Sequence, residues 1–313
     1  MNIQLLHKEV EELFPKMVEI RRYLHQHPEL SYQEEKTPQF IANYLKELGI
    51  EVRTEVGGRG VVGFLRGGKE GKTIALRADF DALPIQDEKD VPYKSTVPNV
   101  MHACGHDGHT ATLLGVATVL AKHREQLEGN VVFVHQFAEE LLPGGAKPMI
   151  ADGCLDGVDV IFGTHLQSTL PSGEIFYREG YTMASGDIFE IEISGKGGHG
   201  AAPHDTIDPI VTASQLVVHL QQIVSRNVDP IKSAVLSVGS FHSGEASNVI
   251  PDTAKISGTV RTYDPEVRNL VEQKIKNITN AVCSANGTTS QIEYTRGYDA
   301  VWNHPAETNY IKN

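Results

Sequence analysis

The sequence predicts an α/β protein with a mainly parallel sheet, followed by a smaller α+β domain. In the first half, helical and strand patterns alternate, which is typical of a parallel sheet with crossover helices. Polar clusters follow four of the predicted strand ends, and the carboxyl ends of strands are where such sheets form their sites. Beyond residue 186 the order becomes strand, helix, strand, strand, helix, strand, which is the split βαβ order of ferredoxin-like folds.

Two amphipathic helices begin the chain. The first has apolar residues at helical spacing, with Pro15 as a local disturbance: Leu5, Leu13, Val18 and Leu24. The second begins at Thr37 and Pro38 and ends at Gly49, a typical C-cap residue. Apolar runs then predict strands over 61–66, 73–78, 130–136 and 158–163, with a helix over 110–123.

The second domain has its own alternation of patterns. We expect strands over 187–193, 234–240, 254–262 and 289–294, and helices over 209–225 and 265–285. A proline stands at the start of each helix, where the missing N–H carries no penalty. About 110 residues are sufficient for a compact domain of this kind.

Composition excludes several classes of protein. The chain has 313 residues, is 40% hydrophobic and has a formal net charge of −12. No apolar run approaches the length of a membrane span, and no Lys/Arg run is longer than Arg21-Arg22, so we expect neither a membrane nor a nucleic-acid partner. Three scattered cysteines predict no disulfide framework, and the polar N-terminal residues favour a cytoplasmic location.

The strongest local signal is Cys104-Gly105-His106. A thiolate and an imidazole two residues apart can bind a borderline-soft divalent ion such as zinc. A loop with a small buried Cys and a surface His is the alternative, and it is the commoner situation for either residue alone. Several potential ligands gathered at strand ends favour the metal site.

The adjacent pair Glu139-Glu140 follows a strongly apolar strand. An isolated acidic pair is usually a solvated turn. At the carboxyl edge of a sheet, however, one carboxylate can bind a metal ion while its neighbour takes a proton from an activated water. Asp79-x-Asp81 is either a turn before Pro84 or a pair that orients a metal-bound His. His165 ends the last strand of this half. With Cys104, His106 and Glu140 it gives a ligand count suited to two metal ions once one or two more donors are added.

Taken together, these motifs resemble the M20 metallopeptidase family, in particular its amidohydrolase branch, which includes hippurate hydrolases, indole-acetyl-amino-acid hydrolases and N-acetyl-diaminopimelate deacetylases. The matching segments are 22–30 (RYLHQHPEL), 77–84 (RADFDALP), 101–109 (MHACGHDGH), 138–140 (AEE), 163–166 (GTHL), 195–204 (GKGGHGAAPH), 248–252 (NVIPD) and 258–261 (GTVR). They occur in one order over nearly the whole chain.

The resemblance implies two divalent metal ions, Mn²⁺ or Zn²⁺. It assigns as their ligands Cys104, His106, Glu140 and His165. It also implies Glu139 as the general base, with Asp81 in support. The architecture implied is a metallohydrolase catalytic domain with an inserted ferredoxin-like α+β lid domain: residues 1–185, then the lid and dimerisation domain at 186–296, then a returning catalytic segment at 297–313.

Three further residues belong to the implied lid. A His at the position of His199 stabilises the oxyanion in this family, often across a dimer, so a homodimer formed through the lid is expected. Asn248 and Arg261 are expected to hold the free carboxylate of the substrate, which the two-pronged guanidinium suits. A flexible glycine turn around His199, and structural roles for Asn248 and Arg261, are the alternatives.

The sequence departs from the family pattern at its end. Relatives continue into the last part of the catalytic domain and supply another metal-ligand His there, whereas His304 comes too early to match it. The chain is therefore expected to be truncated. The leading interpretation is cleavage of N-acyl amino acids; the alternatives are a di- or aminopeptidase of the same family and a non-catalytic product that binds metal or substrate weakly.

Overall fold

A computed structural model describes residues 3–312, and the chain divides between Glu174 and Ile175 into two compact units. Within the described residues, no helix is both long enough and apolar enough to cross a membrane. The first unit contains α1 (Ile3–Gln26), α2 (Lys36–Glu47), β1 (Glu51–Val56), β2 (Gly60–Leu65), β3 (Lys69–Asp79), α3 (His106–Lys122), β4 (Glu128–Gln136), α4 (Ala146–Ala151) and β5 (Val160–Gly163).

The α/β class is confirmed, but the sheet of the first unit is mixed. Its order is β1-β2-β4-β3-β5, with β4, β3 and β5 parallel and the other two pairings antiparallel. A short turn joins β1 to β2 and forces an antiparallel hairpin, whereas α3 joins β3 to β4 as a crossover and makes them parallel. The strands that end in polar clusters are the parallel ones, so their carboxyl ends meet at one edge.

Local signals account for the helix ends. Gly49 adopts φ +69 and donates its N–H to the Lys46 carbonyl, which ends α2 as its C-cap prediction requires. The sequence predicts the start of α3 at Thr110, but the helix begins at His106 because Gly105, at φ +96, turns the chain four residues earlier. That difference places His106 and His109 on the first turn of a helix rather than in a loop.

The second unit contains β6 (Gly180–Met183), β7 (Ser185–Ser194), β8 (Gly198–His199), α5 (Pro209–Asn227), β9 (Ala234–His242), β10 (Val249–Ile250), β11 (Thr253–Thr262), α6 (Pro265–Ala285), β12 (Thr289–Arg296), β13 (Val301–Asn303) and α7 (Pro305–Lys312). Its main sheet is antiparallel in the order β12-β7-β11-β9. The βαββαβ order agrees with the sequence prediction. Two short pairings, β6 with β13 and β8 with β10, lie outside that sheet.

Each unit buries its own core. In the first unit, α2 and α3 pack against the sheet around Leu45, Phe133 and Leu114, all fully buried. In the second, α5 and α6 cover one face of the antiparallel sheet around Phe189, Leu216 and Ile275. Alternate residues of β7 are buried, as expected for a strand with one covered face.

Candidate metal centre

Polar residues from three parallel strand ends and one helix start meet in the first unit. β3 leads into Asp79 and Asp81, β4 leads into Glu139 and Glu140, and β5 leads into His165. The first turn of α3 brings His106 to the same edge, with Cys104 just before it. Because these strands are parallel neighbours, residues far apart in sequence become neighbours in space.

His106 lies at the middle of this group and is fully buried. Its Nδ1 donates to the backbone carbonyl of Asp81 at 2.9 Å and lies 3.1 Å from the Asp81 carboxylate. A carbonyl can only accept, so the Nδ1 atom carries the hydrogen. The Nε2 atom then lies 3.7 Å from Glu140 Oε1 and 3.9 Å from Glu139 Oε2.

Cys104 and His165 also lie beside His106. The Cys104 Sγ lies 3.3 Å from the His165 Nε2 atom, and His165 Nδ1 donates to the Leu166 carbonyl at 2.6 Å. His165, like His106, therefore donates its Nδ1 hydrogen to a backbone carbonyl. Its Nε2 lone pair is then available to bind a metal ion. One ligand atom each from Cys104, His106 and His165 lies within 4.8 Å of the others, and the same holds for His106, Glu139 and Glu140.

Asp79 and His109 form a second layer behind these residues. The Asp79 carboxylate accepts from His109 Nδ1 at 2.6 Å and pairs with Arg77 Nη1 at 2.6 Å. The other nitrogen of His109 accepts the backbone N–H of Leu166 at 2.8 Å. Although Asp79, His106 and His109 are close enough to hold an ion, the partners of Asp79 and His109 suit them better to fixing the loop that carries His165.

Two observations test whether a cation fits. His106 Nε2 and Glu140 Oε1 are buried, 3.7 Å apart, and have no hydrogen-bond partner among residues 3–312. Buried polar atoms are normally satisfied, so each needs a partner that a divalent ion would supply. The donor set of thiol, imidazole and carboxylate is that of transition-metal sites. The residues present therefore fit a metal centre.

Electrostatics points the same way. Burial lowers the pKa of His106, but hydrogen bonds and the charges of the surrounding carboxylates outweigh burial and raise that pKa to about 11. Burial raises the pKa of Asp79, yet the hydrogen bond from His109 and the charge of Arg77 hold it well below its ordinary value. The centre thus stabilises positive charge, whether a proton or a metal ion supplies it.

Glu139 differs from its neighbour in its surroundings. Burial raises the pKa of Glu139, and the charges of Asp79 and Glu140 raise it further. The carboxylate is partly exposed and accepts no hydrogen bond from residues 3–312 that would stabilise its charged form. A raised pKa brings a carboxylate closer to the range in which it exchanges protons at neutral pH.

The second unit brings together two of the three residues predicted there. His199 on β8 pairs with Val249 on β10, and the Asn248 carbonyl accepts the N–H of Gly200 at 2.8 Å. His199 Nδ1 accepts the Ala201 N–H at 3.0 Å, so the ring hydrogen lies on the exposed Nε2 atom. Asn248 is likewise exposed.

Arg261 lies elsewhere in the second unit. It stands on β11 opposite Gly186, eight residues along the strand from Thr253, which corresponds to about 26 Å at the usual rise per residue. The β8–β10 pairing lies near the Thr253 end, where Asp252 accepts the Gly195 and Gly197 N–H groups. Within this unit, therefore, Arg261 does not meet His199 or Asn248.

Two residues of the centre are not among those that the sequence singles out. Arg77 and Glu34 contact it through Asp79 and Ala138 respectively. The sequence could have indicated Arg77, because residues two apart on a strand point to the same face and Asp79 is a candidate residue of the metal site. Glu34 has no such signal, because 104 residues separate it from Ala138.

Comparison with known proteins gives a consistent result. The model of peptidase family M20/M25/M40 matches residues 75–313. YhaA of Bacillus subtilis (strain 168), named as a putative amidohydrolase, is 56% identical over 99% of this chain and 80% of its own length. An N-acyl-L-amino acid amidohydrolase of Geobacillus stearothermophilus is 47% identical, over 94% of this chain and 80% of that protein. The hippurate hydrolase of Campylobacter jejuni is also 47% identical, over 91% and 74%.

A solved structure shares both fold and sequence. Bacillus subtilis YxeP, described as a dinuclear metal-binding peptidase of the M20 family, superposes with a TM-score of 0.79 at 38% identity. The match covers 96% of this chain and 78% of that one. The likeness extends through both units, so it concerns the architecture as a whole and not only the metal-ligand motifs.

Proposed function

The chain belongs to peptidase family M20/M25/M40, and on that premise we propose that it hydrolyses the amide bond of N-acyl amino acids. It is a hydrolase that acts on linear amide C–N bonds. The observation that carries the proposal is the pair of buried, unpartnered atoms, His106 Nε2 and Glu140 Oε1, directly beside Glu139. Two relatives at 47% identity are named for reactions of this class, which favours N-acyl amino acids as substrates.

The proposed metal ligands are Cys104, His106, Glu140 and His165. Two divalent ions, Mn²⁺ or Zn²⁺, would polarise the amide carbonyl and lower the pKa of the attacking water. Asp81 orients His106 through its Nδ1 hydrogen and accepts the Glu140 N–H at 3.0 Å, so it fixes two of the ligands at once.

Glu139 moves the proton in the proposed reaction. It takes a proton from water as the water oxygen adds to the amide carbon, and it passes that proton to the amine nitrogen as the C–N bond breaks. The products are a carboxylate and a free amino acid. The position of Glu139 suits both roles, because its carboxylate lies beside the proposed ligands His106 and Glu140 and is partly exposed.

His199 is the proposed donor to the oxyanion. Its backbone contact leaves the Nε2 hydrogen free to donate, which is the tautomer such a donor needs. Asn248 and Arg261 are proposed to hold the free carboxylate of the substrate. Because Arg261 lies far from the other two within its unit, a homodimer formed through this unit is part of the proposal, and the three residues need not act within one copy.

We also propose that the protein is located in the cytoplasm. All three cysteines are free thiols: Cys104 lies at the centre, while Cys154 and Cys283 are buried in the two cores. Reduced thiols, one of them a metal ligand, suit a reducing compartment.

The direct test combines metal content with turnover. The purified chain is loaded with Mn²⁺ or Zn²⁺, its bound metal is measured, and release of free amino acid is followed from N-acetyl and N-benzoyl amino acids. We expect up to two metal ions per chain and turnover that requires them. Less than one metal per chain together with no turnover would overturn the proposal.

A di- or aminopeptidase of the same family is the second candidate. Dipeptides with a free amino terminus, assayed beside their N-acetylated forms, separate the two. Preference for the acetylated forms supports the amidohydrolase, whereas cleavage of the free dipeptides alone would make the chain a peptidase.

A further inference from the structure

The segment Glu29–Glu34 lies between α1 and α2. It includes the last two residues of the 22–30 motif, which has no assigned role in the metal centre. It lies against the residues that follow β3, with a bridge between Leu30 and Ala82, and the Ala82 N–H donates to the Glu29 carbonyl at 2.9 Å. Three of its side chains reach loops of the centre: Ser31 contacts Asp81, Tyr32 contacts Gly144 and Glu34 contacts Ala138. The segment is therefore fixed to both sides of the turn that carries Glu139.

Glu34 makes the contact nearest to Glu139. Its side chain is fully buried, and its Oε1 accepts the Ala138 N–H at 2.8 Å. The other oxygen, Oε2, has no hydrogen-bond partner among residues 3–312. Burial raises the pKa of Glu34 to about 7. A glutamine would accept the same N–H without a buried charge, so the contact with Ala138 requires the acceptor oxygen and not the charge.

Ala138 explains why that contact is needed. Its φ is +46, in the left-handed region that a residue with a Cβ adopts only at a cost of about 1–2 kcal/mol. Both of its backbone polar groups are held, the N–H by Glu34 and the carbonyl by the Gly145 N–H at 3.0 Å. Such a conformation persists only where its surroundings impose it.

The next residues are held from the other side. The Glu140 N–H donates to Asp81 Oδ2 at 3.0 Å, and the Ser31 hydroxyl donates to the same oxygen at 2.6 Å. The backbone is thus fixed immediately before Glu139 and immediately after it. The direction of the Glu139 carboxylate follows from these two restraints, since the carboxylate itself accepts no hydrogen bond from residues 3–312.

From this geometry we propose that Glu34 is a positioning residue, which holds Ala138 in its left-handed conformation and thereby aims the Glu139 carboxylate at the reacting water. The inference rests on the proposed function, because it assumes Glu139 as the base. Glu34 does not touch the reacting atoms, so its removal acts through geometry.

The test compares three substitutions at one position. Glu34→Met keeps the length of the side chain but removes the acceptor, and Glu34→Asp keeps the charge but withdraws the acceptor by about 1.5 Å. We expect both to lower kcat by about 10- to 100-fold, since small displacements of a catalytic group have effects of that size. KM and bound metal should stay close to those of the unchanged chain.

Glu34→Gln is the conservative rescue. It keeps an acceptor for the Ala138 N–H and removes the buried charge, so kcat should return to within about threefold of the unchanged chain, well above the loss expected for a misplaced base. Stability should change little, because the amide NH2 group takes the buried, unpartnered position of Oε2 while the ionisable group is removed. A merely structural role would change stability and kcat together.

Glu29→Gln is the matched control. Glu29 lies in the same segment, and its carboxylate also accepts backbone N–H groups, those of Lys36 and Thr37, but at the start of α2 and away from Glu139. We expect it to lower the thermal unfolding midpoint without lowering kcat.

The outcomes separate the two proposals. If the unchanged chain turns over N-acyl amino acids and Glu34→Asp has the same kcat, or if Glu29→Gln loses as much kcat as Glu34→Asp, then the positioning role is wrong. If the unchanged chain has no turnover with either metal, the proposed function fails instead. Should Glu34→Met not fold, Glu34→Asp against Glu34→Gln still decides the question.

Discussion

The two units each bury a group of charged side chains, and the two groups are satisfied in opposite ways. In the second unit, Asp187 accepts hydrogen bonds from Arg268, from the Tyr294 hydroxyl at 2.8 Å and from the Gly297 N–H at 3.1 Å. Arg268 in turn binds Asp299 and the carbonyl of Gly297. In the first unit, the centre around His106 leaves His106 Nε2 and Glu140 Oε1 without partners among residues 3–312.

The difference distinguishes buried charged groups that stabilise the fold from those that can bind a ligand. In the Asp187 cluster (Asp187, Arg268, Tyr294, Gly297 and Asp299), the buried charges of Asp187 and Arg268 are paired with each other and with their neighbours, which anchors the segment after β12 to the sheet. The His106 centre keeps aligned, unsatisfied atoms, which lowers stability and leaves binding capacity. Unsatisfied buried groups in a native structure require an explanation, and a bound ion is one.

The largest expected effect concerns catalysis at the His106 centre. Glu139→Gln removes the proposed base but keeps the shape of the side chain, so kcat should fall by about 10²- to 10⁴-fold. Metal content should not change, since Glu139 is not among the proposed ligands. Steady-state kinetics and metal analysis check this, with Glu140→Gln as the variant that should lose metal as well. Full activity of Glu139→Gln would remove it from the base role.

The next effect concerns stability of the second unit. Asp187→Ala leaves Arg268 buried without its main partner, and breaking a buried ion pair in this way costs about 3–5 kcal/mol. Trp302 is the single tryptophan and lies in the second unit, so its fluorescence reports unfolding there.

A double replacement provides the control for that measurement. Asp187→Leu together with Arg268→Met removes both charges, and apolar replacement of a whole pair is often close to neutral. Equal loss in the single and double variants would show that the Asp187 cluster contributes packing rather than charge pairing.

Metal addition should act on the first unit alone. At a hundredfold excess over Kd, a bound ion stabilises the folded state by about 2.7 kcal/mol. Hydrogen exchange should slow in α3 and at the ends of β3 and β4, while β12 and α6 keep their rates. A chelator should reverse the change. Equal slowing in both units would contradict a centre confined to the first.

The smallest effect is a difference in acid sensitivity. Burial raises the pKa of Asp187, but hydrogen bonds from Arg268 and Tyr294 outweigh it and leave the pKa below its ordinary value. A depressed carboxyl pKa contributes stability above about pH 4, the unfolded value, and loses that contribution as pH falls through the folded value. Urea unfolding followed through Trp302 should show this loss below pH 4, and Asp187→Asn should lack that part of it.

Local patterns in the sequence are sufficient for much of the fold. Strand and helix periodicity locates most elements, because side-chain alternation depends on neighbouring residues only. The change of pattern at residue 186 does not coincide with the division of the chain into compact units, which falls between Glu174 and Ile175. Periodicity misses the edge strand β1 and the short strands β6 and β13, whose residues are largely exposed and leave no apolar pattern. It also predicts a mainly parallel sheet, since nothing in the pattern reveals the hairpin between β1 and β2.

The sequence by itself determined which chemical groups are present and that they follow strand ends, because Cys104, His106, Glu139, Glu140 and His165 all stand in short motifs directly after apolar runs. Tertiary structure alone decided which atoms of these groups stay free. Asp81 accepts a hydrogen bond from His106 Nδ1, Glu34 accepts one from Ala138, 104 residues away, and Asp187 accepts one from Arg268, 81 residues away. Such contacts depend on how distant segments pack. Hydrophobic periodicity does not predict them, because that pattern depends only on residues a few positions apart.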